Sequence, residues 1–295
     1  MNLSRTVPFK STLTRPRGDL TRLYHQAREN EARLVDDLDI AREVQQQLLP
    51  RGTPAFPGLD LAAACIPARE LGGDFYDFFS YGSGRLALAL GDVSGKGTAA
   101  ALLGALTIGF LRAQTVDHAD MPAGVLATLN ERINAARLNA RFVATLFAVF
   151  DSNARQLTIA NGGNPYPLLV RKRRIEEIPA CGIPLGLMAG TRYEPVSLHL
   201  QPRDTVVFVS DGIVESQDGK NEAFGIERLG AVLTSLTSDS SAQEISSAIL
   251  TATDVFSGET SAMHDDRSLF VLRATEDLSA DLSLSPISDP NSQPG

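Results

Sequence analysis

Tryptophan is absent from this sequence, cysteine occurs twice and histidine four times. The two thiols, Cys65 and Cys181, are too few and too widely spaced for a disulfide framework, and they read as reduced core thiols of a cytosolic protein. Neither lies in a Cys-x5-Arg loop, which argues against nucleophilic cysteine chemistry. His25, His118, His199 and His264 show no zinc-ligand spacing. No stretch approaches the roughly 20 apolar residues of a membrane helix, and the N-terminus lacks the apolar middle of a secretory signal. The formal charge of −8 argues against nucleic acid as a partner, although cations can still bridge an acidic protein to phosphate.

What is present is enough apolar material for a large core: 43% of 295 residues. Residues 1–18 carry Arg5, Lys10, Arg15 and Arg17 and no acid, and read as a disordered arm. Residues 19–52 form a helical linker. A seam spaced alternately by four and three runs through Leu20, Tyr24, Ala27, Glu31, Leu34, Leu38, Ala41, Gln45 and Leu48, and Pro50 and Gly52 end it. Its polar members, Glu31 and Gln45, weaken the seam and can set register. Two readings stand: pairing as a coiled coil, or an amphipathic helix lying on its own domain. Residues 275–295 are rich in Ser, Asp and Pro and read as a solvated tail.

Between them, 53–274 reads as one folded unit. Strands are expected over Leu59–Ile66, Asp74–Phe79, Arg85–Gly91, Phe142–Phe150, Gln156–Ala160, Pro167–Arg171, Glu194–Leu200, Thr205–Val209 and Ser268–Arg273. Helices are expected over Thr98–Gln114, Ala123–Leu138, Phe224–Leu236 and Ala242–Phe256. Short links such as Asp151-Ser152-Asn153-Ala154 imply antiparallel pairing, and paired helices between strand groups exclude repeated βαβ crossovers. The fold class is therefore α+β, with antiparallel sheets layered against helix pairs.

Aspartates stand at strand ends. Asp74 follows Gly72-Gly73, Asp92 ends the run from Leu86 to Gly91, Asp211 ends Val206–Ser210, and Asp265-Asp266 precede the last strand. A carboxylate beside a buried strand loses hydration and needs a partner, and few Lys or Arg are near these positions in sequence. If these acids converge, divalent cations neutralise them best, and all-oxygen ligands select Mg²⁺ or Mn²⁺ over zinc. Each signal alone is weak. Asp211-Gly212 is also a hairpin signal, and Gly95-Lys96-Gly97 before a helix could cradle phosphate but lacks P-loop spacing.

Taken together, several stretches closely resemble the SpoIIE/RsbU-like, sigma-regulatory branch of the type-2C (PPM, metal-dependent) serine/threonine protein phosphatases. They are Glu70-Leu71-Gly72-Gly73-Asp74-Phe75-Tyr76-Asp77, Gly91-Asp92-Val93-Ser94-Gly95-Lys96-Gly97, Phe142-Val143-Ala144-Thr145-Leu146-Phe147, Pro184-Leu185-Gly186, Ser210-Asp211-Gly212-Ile213-Val214-Glu215-Ser216, Phe224-Gly225 and Asp265-Asp266-Arg267-Ser268. The resemblance covers roughly residues 40 to 273. It implies an α-β-β-α sandwich and two Mn²⁺ or Mg²⁺ ions. Asp92 would bridge the ions, Asp74 and the Val93 carbonyl would complete one site, and Asp211 and Asp265 the other. Asp266 is expected behind these ligands, Asp77 in a structural role, and His264 beside the site as a candidate proton carrier.

The resemblance further implies a phosphoprotein substrate, a phosphorylated STAS-type anti-sigma-factor antagonist in bacterial partner switching. It also implies a regulatory partner or a second copy at the N-terminal helix. In the family that helix links a sensor to the catalytic domain; about 20 residues precede it here. Two departures are visible. Asn161-Gly162-Gly163-Asn164-Pro165 replaces a run that commonly contains histidine, and Val214 stands where threonine is frequent. Two other readings compete. One is a catalytically silent phosphatase-fold binding module, against which the complete aspartate set argues. The other is a two-metal phosphodiesterase or nuclease, disfavoured by the acidic charge and the motif order.

Overall fold

The computed structural model describes residues 17–81, 84–115, 122–137, 141–258 and 265–276, with only the backbone described at 17–20 and 115. The element order is α1 (Arg17–Leu48), β1 (Leu59–Ile66), β2 (Phe75–Tyr81), β3 (Arg85–Val93), α2 (Thr98–Thr115), α3 (Pro122–Ala135), β4 (Val143–Asp151), β5 (Gln156–Gly162), β6 (Leu168–Arg171), β7 (Arg174–Glu177), β8 (Val196–His199), β9 (Thr205–Val209), α4 (Asp211–Val214), α5 (Gly225–Ser235), α6 (Ala242–Ser257) and β10 (Arg267–Ala274).

Ten strands form two five-stranded sheets, ordered β1-β10-β9-β6-β7 and β2-β3-β4-β5-β8. Every pairing is antiparallel. Side chains alternate along a strand, so each sheet presents one face to the other sheet and one to helices. In β3, Leu86, Leu88 and Leu90 enter the core between the sheets, whereas Ala87, Ala89 and Val93 meet α2 and α3. In β9, Val206 and Phe208 face inward, while Val207 and Val209 meet α5 and α6. Burial on both faces explains why these strands read as unbroken apolar runs rather than alternating ones. The result is the expected α-β-β-α sandwich.

Sequence and structure part in three places. First, β7 was not expected. It pairs with β6 through a turn at Lys172 and Arg173, both with positive φ (50° and 62°). Such turns are normally announced by Asn-Gly, and Lys-Arg hides the signal. Second, the hairpin signal at Asp211-Gly212 opens the short helix α4 instead. A Cβ at Gly212 would overlap the Asp266 carbonyl, so close chain approach requires this glycine. Third, α1 is one continuous helix but uses its seam unevenly. Leu38, Ala41, Gln45 and Leu48 are half-buried, whereas Tyr24 and Leu34 are exposed. Its end packs Leu48 and Leu49 against the α2–α3 core. No helix among the described residues is long and apolar enough to cross a membrane.

Candidate metal centre

Adjacent strands bring the acids to one end of the sandwich. Phe75 pairs with Gly91, which sets Asp74 and Asp92 side by side on one sheet. Val209 pairs with Leu269, which sets Asp211 beside Asp265 and Asp266 on the other. Ser268 joins the two sheets: its hydroxyl donates to Asp74 Oδ2 at 2.6 Å, and its N–H donates to Ser210 Oγ at 2.9 Å. Val93 buries its side chain, while its carbonyl lies 3.1 Å from where a Cβ on Gly73 would stand. That places the Val93 carbonyl against the same glycine turn as Asp74.

Electrostatics confirm the convergence. Burial raises the Asp74 carboxyl well above the usual range; Asp92 and Asp266 push it further, opposed by the Ser268 hydrogen bond. Burial also raises Asp92; the Asp74 and Asp211 carboxyls beside it oppose the rise, and the charges of Asp265 and Asp266 add to it. Asp211 is pushed up to about 7, by burial first and then by Asp92, Asp265 and Glu215. Among the described residues, Lys96 answers this charge: its Nζ lies 3.2 Å from Asp265 Oδ2.

Asp265 and Asp266 divide their roles as neighbours on a strand entrance must. Asp265 is half exposed and faces the cleft. Asp266 is buried and turns back, accepting the N–H groups of Ala68 at 2.7 Å, Gly73, and Asp74 at 3.4 Å. It thereby fixes the Gly72-Gly73-Asp74 turn. Asp77 is apart from the cluster, buried and paired with Arg112 Nε at 2.7 Å, which is a structural role. His264 lies outside the described residues.

Several contributors carried no assignable sequence signal. Ser268 and Ser210 are small polar residues in apolar strands. Arg141 reaches the Gly95 turn, its Nη1 lying 3.0 Å from where a Cβ on Gly95 would stand. Gln45 of α1 donates to the Gly72 carbonyl at 2.6 Å and accepts the Gly72 N–H at 3.2 Å.

The donor set suits hard divalent cations. Among the described residues, no three acidic, histidine or cysteine side chains close into a finished cage. The fit rests on a different observation: Asp74 Oδ1 is buried and has no hydrogen-bond partner. A buried carboxylate oxygen without a donor, beside the half-buried Asp92, fits a cation-binding position.

A sandwich of two antiparallel sheets between helix pairs, with acids gathered at one end, is the architecture of PP2C-type serine/threonine phosphatases. The SiaA-PP2C domain of Pseudomonas aeruginosa superposes with a TM-score of 0.75 at 20% identity, covering 83% of this chain and 98% of that one. The chain belongs to the Stage II sporulation protein E (SpoIIE) family, whose model matches residues 82–275, more than half its length. It is 26% identical to "Phosphoserine phosphatase RsbU" of Bacillus subtilis (strain 168) over 244 residues, 81% of this chain and 70% of that protein. It is 27% identical over 225 residues to "Protein IcfG" of Synechocystis sp., covering 67% of this chain but only 36% of IcfG.

Proposed function

We propose that the chain hydrolyses phosphoserine or phosphothreonine in a partner protein, using the acidic cleft to hold two Mn²⁺ or Mg²⁺ ions. The observation that carries the reading is the buried, unpartnered Asp74 Oδ1 beside Asp92, in a cleft that Asp211 and Asp265 complete. Asp92 stands between the two sheets' contributions and is assigned to both ions; Asp74 and the Val93 carbonyl are assigned to one, Asp211 and Asp265 to the other. Bound there, divalent cations supply Lewis acidity for attack of water on phosphorus. The chain's own residues do the positioning. Ser268 orients Asp74, Asp266 holds its turn, and Lys96 and Arg141 at the mouth attract the phosphoryl dianion.

The substrate we assign is a phosphorylated STAS-type anti-sigma-factor antagonist, in cytoplasmic partner switching. The relationship to RsbU supports this, and so do the family motifs. We assign residues 53–274 to the catalytic unit, and α1 with the segment after it, up to residue 52, to the control arm. The apolar seam of α1 left exposed at Tyr24 and Leu34 is assigned to a second copy or a regulatory protein. Its pose would then act on the metal-site turn through Gln45.

The test is Mn²⁺-dependent phosphate release from a phosphoserine peptide. Asp92→Ala and Asp211→Ala should each abolish it; activity indifferent to both rejects the assignment. Removal of residues 1–40 should change both oligomer mass and regulation. Unchanged values of both reject the arm's role.

A further inference from the structure

The opposite end of the β1-β10-β9-β6-β7 sheet carries a cavity of about 350 Å³. It lies between the β6–β7 turn, the turn into β9, the end of α5 and the start of α6. Thr205, at the first residue of β9, lines it, whereas Asp211 follows the other end of that strand. The cavity is therefore roughly 20 Å from the acidic cleft, at about 3.3 Å per strand residue.

Its chemistry is the inverse of the cleft's. Lys172, Arg173, Arg203 and Arg273 all line it, in a chain whose formal charge is −8. The one acid in the wall, Asp204, is already neutralised: Arg171 grips it at 2.6 Å and 3.1 Å, and the Gln201 N–H donates to it at 2.7 Å. Arg173 donates to the Thr234 carbonyl at 2.8 Å, and Arg273 to the carbonyls of Ser238 and Ser240. Those carbonyls orient the guanidinium groups, and the charge of Arg273 also reaches Glu244 in the first turn of α6. Arg203 meets only exposed acids, Asp239 and Glu276, each at 3.8 Å. Lys172, Arg173 and Arg203 are also held at positive φ (50°, 62° and 72°). At Lys172 and Arg173 this is the conformation that the two-residue hairpin turn requires, and it fixes where both side chains leave the backbone. The rest of the wall mixes polar Gln201, Thr205, Thr237 and Ser238 with an aliphatic side formed by Val170, Leu233, Leu236 and Ile245, and it has no aromatic face to stack a nucleobase.

We propose that this cavity is a second ligand site. It takes a small molecule with a compact, multiply charged anionic head, a phosphate or diphosphate, joined to a short aliphatic body. Clustered cations repel one another, and a polyanion relieves that repulsion while the aliphatic wall excludes water from the body. The volume suits a small ligand.

Calorimetric titration of the full chain with pyrophosphate and with butyl phosphate, in chelator so that the acidic cleft holds no cation, tests the site. Saturable one-to-one binding is expected for both probes. Lys172→Gln with Arg203→Gln, both exposed in turns, should weaken both at least about tenfold. Leu236→Ala should weaken butyl phosphate and spare pyrophosphate, and Asp92→Asn should change neither. Absence of binding by the wild-type chain overturns the proposal. So does equal affinity in the double variant, or loss of binding in Asp92→Asn. Because the readout is binding without divalent cations, its failure is separable from failure of the phosphatase reading.

Discussion

Two groups of buried aspartates in this protein solve the same problem differently. Asp77, Asp204 and Asp74 are equally hidden, at 4%, 2% and 4% exposure. Asp77 has Arg112 at 2.7 Å and Asp204 has the fork of Arg171. Asp74 has a neutral hydroxyl on one oxygen and no partner on the other. Burial raises the Asp77 carboxyl too, but Arg112 opposes it with both a hydrogen bond and its charge. At Asp74 the neighbouring charges of Asp92 and Asp266 add to burial instead. The desolvation cost is common to both groups; what differs is whether the chain supplies its own countercharge. Where it does, the acid holds structure together. Where it does not, the acid awaits a cation from solution.

The sharpest way to break that comparison is to exchange the two groups' fates by mutation. Asp92→Asn should lower phosphatase activity by at least about 10³-fold. The same change should leave cation-free stability unchanged or raised, since it removes a like charge from a buried cluster. Mn²⁺ should raise the melting temperature of the wild type and not that of the variant. Asp204→Ala should do the reverse. It strands Arg171 and the Gln201 N–H, costs about 2–4 kcal/mol of stability, and leaves turnover within a few-fold at permissive temperature. Denaturation and phosphate-release assays on both variants decide it. If Asp92→Asn unfolds as readily as Asp204→Ala, the two groups are not distinct.

A smaller effect is expected at Asp266. Its two oxygens accept three backbone N–H groups around Gly73, and an amide offers one acceptor oxygen. Asp266→Asn should lower activity about 10–100-fold through misplacement of Asp74. The readout is a higher Mn²⁺ concentration at half-maximal rate. Unchanged Mn²⁺ dependence would return Asp266 to a purely structural role.

The sequence disclosed the acids more readily than what positions them. Strand-end aspartates beside glycines are visible because both residue types are rare inside apolar runs, so Asp74, Asp92, Asp211 and Asp265 stood out. The sandwich was legible because β3, β4, β9 and β10 are buried on both faces and read as continuous apolar segments. Ser268, Ser210 and Gln45 act through contacts with residues distant in the chain, which no local pattern encodes. The β6–β7 hairpin was missed because its turn uses Lys172-Arg173, where Asn-Gly would have signalled it. The basic cavity was invisible because its four cations come from two turns and from β10, segments distant in the chain.

The cluster's own charge should also be visible in stability. Asp211 titrates at about 7 in the folded chain, above its value of roughly 4 when unfolded. Between those values the folded state binds the extra proton, so this group's contribution to stability falls as pH rises from about 4 to 7 and is restored on acidification. Asp74 and Asp92 are raised and act with the same sign. In chelator, Asp211→Asn should therefore melt about 4 °C above wild type at pH 8 and match it near pH 4. Thermal scans across that range check the sign. A variant less stable than wild type at pH 8 would mean that Asp211 has a countercharge after all.

The smallest effect is expected where the control arm meets the cleft. Gln45 makes two hydrogen bonds with Gly72, one residue from the N–H that Asp266 holds. Each is worth about 1 kcal/mol net. Arg42 also bonds the Glu70 carbonyl at 2.9 Å, and Arg112 the Leu48 carbonyl at 2.6 Å, so the helix end stays attached without Gln45. Gln45→Ala should thus change maximal turnover by no more than about threefold while raising the Mn²⁺ requirement about three- to tenfold, because the Gly72-Gly73-Asp74 turn loses the support that comes from α1. Gln45→Glu keeps the acceptor for the Gly72 N–H but turns a carboxylate toward the Gly72 carbonyl, so it should not restore the wild-type requirement. A fall in stability with an unaltered Mn²⁺ requirement would show that the helix is merely packed beside the cleft, and would detach the arm from the chemistry.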